Sequence, residues 1–185
     1  MSDDLHKAQL RFQLANTTEF TSLYQTARHD EGWPATLGNL PLCRRFVADW
    51  SARNALCAGR LELIQVAQGG SAIGFTTVAT VDATFAPNGV QAVEAGTYLV
   101  PASRGRGYNA EVKGHQRRLA KEVYGAKCLV FVVEEHNVAA HKAMDNLPWP
   151  TTQVTMSMTR DSWYRFLRRR VWEEQRTSVL YVQEL

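Results

Sequence analysis

Apolar and polar residues alternate over positions 9–14 (Gln-Leu-Arg-Phe-Gln-Leu), the period of a half-buried strand. Asn16 followed by Glu19 then carries a helix-start signal, and the helix is expected to run to about His29. A turn-rich stretch from Asp30 to Pro41 reads as a mobile loop over a site. Leu42, Phe46, Val47, Trp50 and Leu56 have helical spacing, which predicts a second helix over 42–57. Strands are expected at about 60–68 and 72–81, joined through Gly69-Gly70-Ser71, and at 90–100. A helix from Ala110 to about Tyr124 follows, and then a continuous apolar strand over 127–134. A short helix over Asn137–Asn146, a strand over 152–159, a helix from Asp161 to about Glu174 and a last strand over 177–183 complete the pattern. This order predicts one mixed α/β domain over 1–185. An antiparallel run comes first, and a strand–helix–strand crossover follows.

Composition narrows the picture only a little. With 185 residues the chain is long enough for one substantial core. The net charge of +3 lacks the basic excess of a nucleic-acid binder, so nucleic acid is not expected as a partner. Cys43, Cys57 and Cys128 have no metal-type spacing, so they read as reduced thiols, and no metal is expected. The polar start and the short apolar runs predict a cytoplasmic protein without a membrane span, as monomer or homodimer.

The chemistry concentrates in one stretch. Glu94-Ala95-Gly96-Thr97-Tyr98-Leu99-Val100 runs as a strand into Pro101-Ala102-Ser103-Arg104-Gly105-Arg106-Gly107-Tyr108-Asn109, directly before a helix. A helix start offers unpaired N–H groups and a positive dipole end. Glycines let backbone approach a ligand closely, and phosphate is the natural guest.

This order and this loop resemble the GNAT superfamily of N-acetyltransferases, over roughly residues 9 to 160. The acyl-CoA loop of that family, Arg/Gln-x-x-Gly-x-Gly/Ala, is matched by Arg104-Gly105-Arg106-Gly107-Tyr108-Asn109 except at its last position. The fuller run through Lys113 is similar to the ribosomal-protein alanine acetyltransferase-like branch. Glu135-His136-Asn137 through Met144 matches the family's next motif. The resemblance implies a GNAT fold with a mostly antiparallel central sheet flanked by helices. It also implies acetyl-CoA as co-substrate, with its pyrophosphate on backbone N–H groups of Arg104, Gly105, Arg106, Gly107, Tyr108 and Asn109. Leu99 and Val100 would pair with the pantetheine arm, which a splayed strand pair admits, and one of their N–H groups would polarise the thioester. Asn137 would touch the arm further along, and Lys142 would reach a phosphate.

Catalytic candidates are fewer. The resemblance implies Glu94 as general base, against the alternative of a glutamate that faces solvent or only orients substrate. The family's usual tyrosine acid is replaced by Met144, and Ala140 stands where relatives use serine. Tyr108 is a substitute acid, against packing as the alternative. Trp33 and Trp50 are candidates to line an acceptor pocket between the first two helices, against a core role. Arg165, Arg168, Arg169 and Arg170, with aromatics interleaved, read as the wet face of an amphipathic helix in a C-terminal extension over 161–185, which would rebuild the acceptor side or form a dimer contact. The acceptor implied is an amine on a peptide, protein or peptide-like product. The rivals are another small-molecule amine, charged tRNA, and a silent acyl-CoA-binding module.

Overall fold

A computed structural model describes residues 9–67, 69–81, 90–157 and 177–185. The expected helix from Asp161 to Glu174 and its arginine cluster lie outside the described residues. The elements are β1 (Leu10–Leu14), α1 (Thr17–Ala27), α2 (Leu40–Ala55), β2 (Gly59–Val66), β3 (Ala72–Thr80), β4 (Ala92–Leu99), α3 (Tyr108–Glu122), β5 (Cys128–Glu134), α4 (Val138–Asp145), β6 (Thr152–Ser157) and β7 (Thr177–Glu184). Among the described residues the strands form one mostly antiparallel sheet of seven, in the order β1-β2-β3-β4-β5-β7-β6.

Local chemistry explains the helix starts. The Asn16 side-chain oxygen accepts the Glu19 N–H at 2.9 Å, and the Glu19 carboxylate bonds back to the Asn16 amide. The Asn39 side chain does the same for the Leu42 N–H at 3.0 Å, with Pro41 in the first turn of α2. That cap sets the start of α2 two residues earlier than hydrophobic spacing alone predicts. Leu42 and Leu56, part of that spacing, are 40% and 78% exposed. The buried stripe is Cys43, Val47 and Trp50.

The chain divides into two compact units. One comprises residues 1–77 and 97–112, the other 78–96 and 113–185, and β3, β4 and α3 each run from one into the other. The core of the first unit is aromatic. Phe20, Trp33, Phe46, Phe75 and Tyr98 pack with centroids 4.9 to 6.1 Å apart. A second cluster joins Leu10, Ile64 and Val112, with Tyr108 and Leu99 packed against it. The second unit is built on Val93, Leu119, Leu129, Phe131, Met144 and Tyr181. As expected of a strand covered on both faces, Cys128, Leu129, Val130, Phe131 and Val133 of β5 are buried.

The strand expected at the end of the chain takes an interior place. β7 pairs antiparallel with β5 over seven residues, from Cys128↔Glu184 to Glu134↔Ser178, and with β6 on its other side. β4 and β5 are parallel, as a crossover requires, but their register comprises only Ala92↔Cys128, Val93↔Leu129 and Glu94↔Val130.

The opposite flank of β4 is pressed close. A Cβ on Gly74 of β3 would lie 2.1 Å from the Tyr98 carbonyl oxygen and 3.0 Å from the Leu99 Cα. Both neighbours are backbone, so the strand cannot give way locally. Gly74→Ala is therefore expected to lower stability by about 3 kcal/mol or more, read as a shift of the urea midpoint. A change below about 0.5 kcal/mol would show that β3 and β4 can separate freely.

Candidate functional site

The loop after β4 is shaped by two short turns and two glycines. Pro101–Ser103 forms a 3-10 turn in which the Ser103 N–H reaches the Val100 carbonyl at 2.9 Å and the Arg104 N–H reaches Pro101 at 3.1 Å. Gly105 and Gly107 have φ of +73° and +78°. A Cβ on either would meet nothing within 4 Å. Glycine is needed here for the left-handed backbone, and the space beyond each position is open. α3 begins at Tyr108, and Gly107 before it has no side chain with which to cap the first turn. Glu111, the acidic residue of that turn, accepts the Leu10 N–H at 2.8 Å instead. The result is a helix start with its donors facing an approachable surface, the arrangement that holds anions.

The side chains divide the expected roles differently. Arg106 is exposed beside the glycines. Arg104 turns away from its own loop. Its Nε donates to the Leu99 carbonyl at 2.9 Å, and its two terminal nitrogens pair with the carboxylate of Asp30. Asp30 also accepts the Tyr98 hydroxyl at 2.8 Å. Burial pushes the Asp30 carboxyl up, but hydrogen bonds from Arg104 and Tyr98 outweigh it and hold the group below its ordinary value. Burial and the Asp30 charge raise the Tyr98 phenol. The segment expected to be a mobile loop is thus anchored at Asp30, and Trp33 is core. Trp33 is 7% exposed, donates to the Leu37 carbonyl at 2.9 Å and meets Tyr98 edge-on at 4.9 Å. It does not line an acceptor pocket between α1 and α2. Trp50 does line a cavity of about 160 Å³, but with Leu14, Ala15, Val47 and Leu61, against the strands.

Of the two backbone donors expected to meet the thioester, Val100 is committed, since its N–H bonds the Ile73 carbonyl at 2.9 Å. Leu99, the neighbour along an extended strand, points its N–H the opposite way. Tyr108 and Asn109 are half-buried, and Tyr108 packs on Leu10, Ile64 and Val112. That packing is the role weighed against its service as an acid.

In the second unit, Glu94 is half-buried and forms the last pair of the β4–β5 register. Beyond it both strands continue without pairing to each other among the described residues. Asn137 caps α4, its side-chain oxygen accepting the Ala140 N–H at 3.0 Å. Its oxygen therefore has a structural task, and the amide nitrogen and the second lone pair of the oxygen remain for a ligand. Lys142 is exposed. Met144 is 4% exposed in the core, and Ala140 packs against the same cluster. No acid stands at either place.

Two features escaped the sequence pattern. The Tyr181 hydroxyl lies 2.7 Å from His141 Nδ1, while His141 Nε2 lies 3.2 Å from the Glu135 carbonyl. A carbonyl only accepts, so Nε2 carries its proton and, in the neutral ring, Tyr181 donates to Nδ1. Lys113 of α3 is 6% exposed with its ammonium 4.1 Å from the Phe131 ring centre, and burial lowers its pKa to about 7. Neighbouring Gln116 donates to the Gly96 carbonyl at 2.8 Å, tying α3 to β4. Only helical phase hinted at Lys113, since it lies one residue from the buried Val112 and three from the buried Gln116. Among the described residues no group of three or more His, Cys, Asp or Glu side chains is placed to hold a metal, and no helix is long and apolar enough to cross a membrane.

The fold is that of known acetyltransferases. A Vibrio cholerae protein described as a ribosomal-protein-serine acetyltransferase superposes with a TM-score of 0.72 at 13% identity, covering 100% of both chains. RimL, a ribosomal-protein α-N acetyltransferase solved with coenzyme A, gives 0.68 at 12% identity, covering 95% of this chain and 94% of its own. A variant of the spermidine N-acetyltransferase SpeG from Vibrio cholerae gives 0.66 at 8% identity over 95% and 94%. No protein-family model and no curated protein matches the sequence.

Lys113 gives the second unit a measurable pH signature. Its amine titrates near 7 in the folded chain and near its ordinary value of 10.5 when unfolded. Between these values the unfolded chain binds a proton that the folded chain does not, so stability rises with pH by up to about 1.4 kcal/mol per unit. Lys113→Met should be more stable than wild type at pH 7 and lose this slope. Denaturant titrations at pH 7 and 9 check it, and equal slopes in both proteins would contradict it.

Proposed function

We propose that this chain is an acyl-CoA-dependent N-acetyltransferase that moves an acetyl group from acetyl-CoA to a primary amine by direct attack in a ternary complex. The observation that carries this reading is the turn before α3. Two left-handed glycines open onto free space at an uncapped helix start, immediately after the strand that carries Glu94. Those donors suit a pyrophosphate, and the fold is one that neighbours such as RimL use with coenzyme A.

The residues divide the work as follows. The N–H groups of residues 105–109 hold the pyrophosphate, and exposed Arg106 adds charge beside it. The Leu99 N–H polarises the thioester carbonyl in place of Val100, whose donor is committed to β3. Glu94 takes the proton from the acceptor ammonium, because only the free amine has a lone pair for the carbonyl carbon. As the C–N bond forms and the C–S bond breaks, the attacking nitrogen gives up its second proton to solvent, leaving a neutral amide, and the sulfur leaves as thiolate. Met144 is buried and has no proton to give, and Tyr108 is packed against Leu10, Ile64 and Val112, so neither delivers a proton to it. Thiolate is a tolerable leaving group and takes its proton from solvent.

The acceptor in this reading is the terminal amine of a peptide, protein or peptide-like product, the class on which RimL acts by its name. A polyamine is the competing class, as in SpeG. A second reading, binding of acyl-CoA without turnover, draws on the buried methionine at the usual place of the acid.

Acetyl-CoA at millimolar concentration should raise the melting temperature by ligand linkage, and no shift would remove the co-substrate. Glu94→Gln should retain that shift yet lower turnover about 100-fold or more. Retention of full turnover would exclude Glu94 as base. Incubation with acetyl-CoA and a panel of peptides and polyamines, read as a mass gain of one acetyl group, separates the enzyme from the silent binder and names the amine.

A further inference from the structure

The resemblance implies a pyrophosphate contact for the backbone N–H of Arg104, the arginine that opens the loop motif, and a guanidinium beside such a loop suits phosphate as well. The observed side-chain contacts lie elsewhere. A guanidinium has five N–H donors in a fixed fork. Three of them, one on each nitrogen, are engaged with the Leu99 carbonyl and both oxygens of Asp30. The arginine carbon also lies 5.6 Å from the centre of the Tyr98 ring. Asp30 is the more buried partner, its side chain 11% exposed against 45% for Arg104. If Arg104 swung to a phosphate, a nearly buried carboxylate would lose its cation and a carbonyl its donor, and both losses oppose the move.

The rest of the segment is fastened to the same strand. Tyr98 is gripped at its hydroxyl by Asp30, at 2.8 Å, and on its ring by Trp33, three residues later. Phe75 of β3 stacks on the same ring with centroids 5.7 Å apart. Gly32 lies between the two anchors, where a Cβ would come within 2.9 Å of the Arg104 guanidinium. Beyond them, the Gly38 carbonyl accepts the Tyr24 hydroxyl at 3.0 Å. All of these residues belong to one compact unit.

We propose that Arg104 is a positioning residue rather than a phosphate ligand: it clamps residues 30–38, the connection between α1 and α2, to the end of β4 at the start of the glycine turn. This rests on the acetyltransferase reading, in which that connection borders the acceptor amine. The phosphate is then left to the backbone donors and Arg106. The connection is held by side chains that meet across 74 positions of sequence. The clamp holds the acceptor side in the same body as the loop for the acyl donor.

Arg104→Ala, Arg104→Lys and Asp30→Asn test this by two readouts, acetyl-CoA affinity from calorimetry and hydrogen exchange of the amides over 28–38. Asp30→Asn keeps the side-chain shape, so it guards against a simple failure to fold. The clamp predicts that all three variants bind acetyl-CoA within about threefold of wild type, while the 28–38 amides exchange about tenfold faster or more. Lysine does not rescue the exchange, because it lacks the fork. For an acceptor found in the panel, its KM rises while the KM for acetyl-CoA holds. A loss of acetyl-CoA affinity of about tenfold or more in Arg104→Ala makes Arg104 a phosphate ligand and overturns the clamp. Unchanged exchange over 28–38 in Arg104→Ala and Asp30→Asn overturns it as well. If wild type binds no acetyl-CoA, the functional reading fails, and the exchange experiment still decides the clamp.

Discussion

A strand can be hydrogen-bonded along both edges, and how far each edge is paired decides where a sheet can open. β4 meets this constraint asymmetrically. Along β3 the approach is so close that position 74 admits only glycine, with the Tyr98 carbonyl 2.1 Å from any added Cβ. Along β5 the register stops after three pairs, at Glu94↔Val130, although both strands run on. A strand held tightly on one side keeps its shape when the other side is unpaired. Glu94, Leu99 and the glycine turn all take their places from that strand.

Asp30 and Lys113, two charges with little exposure, illustrate opposite solutions to one problem. Asp30 is answered by an arginine and a tyrosine, and its carboxylate stays ionised more readily than usual. Lys113 faces an aromatic ring under α3, and burial lowers its proton affinity instead. A satisfied ion pair fixes a geometry, whereas a destabilised amine stores a sensitivity to pH. The first ties a loop in one unit, and the second lies at the contact of helix and sheet in the other.

What the sequence made legible was local. Asn16 and Glu19 announce α1 because their bonds span three residues. The apolar run at 128–133 announces β5 because its composition records burial on both faces. The loop was legible for the same reason, since glycine, arginine and helix start are contiguous. What stayed hidden depends on partners far away in the chain. Nothing near Asp30 reveals Arg104 or Tyr98, so a turn-rich stretch looked mobile when it is anchored. Trp33 looked like a pocket wall because composition does not tell which ring meets Tyr98. For Asn137 the resemblance implies a cofactor contact, and the bond from the Ala140 N–H to its side chain shows a cap on α4 as well.

The strand order has a consequence for how the chain is made. β6 precedes β7 in sequence, yet in the sheet its strand neighbour is β7, which also separates it from β5. During synthesis β6 therefore leaves the ribosome with no edge to join, and it waits until residues 177–184 have emerged. Meanwhile the edge of β5 that will pair over seven residues, Cys128 to Glu134, stays open. Long-range pairing of this kind is slow and leaves strands exposed to self-association. The second unit thus acquires its core late, and a chaperone that shields β5 and β6 during that interval would act on the yield of this protein rather than on its stability.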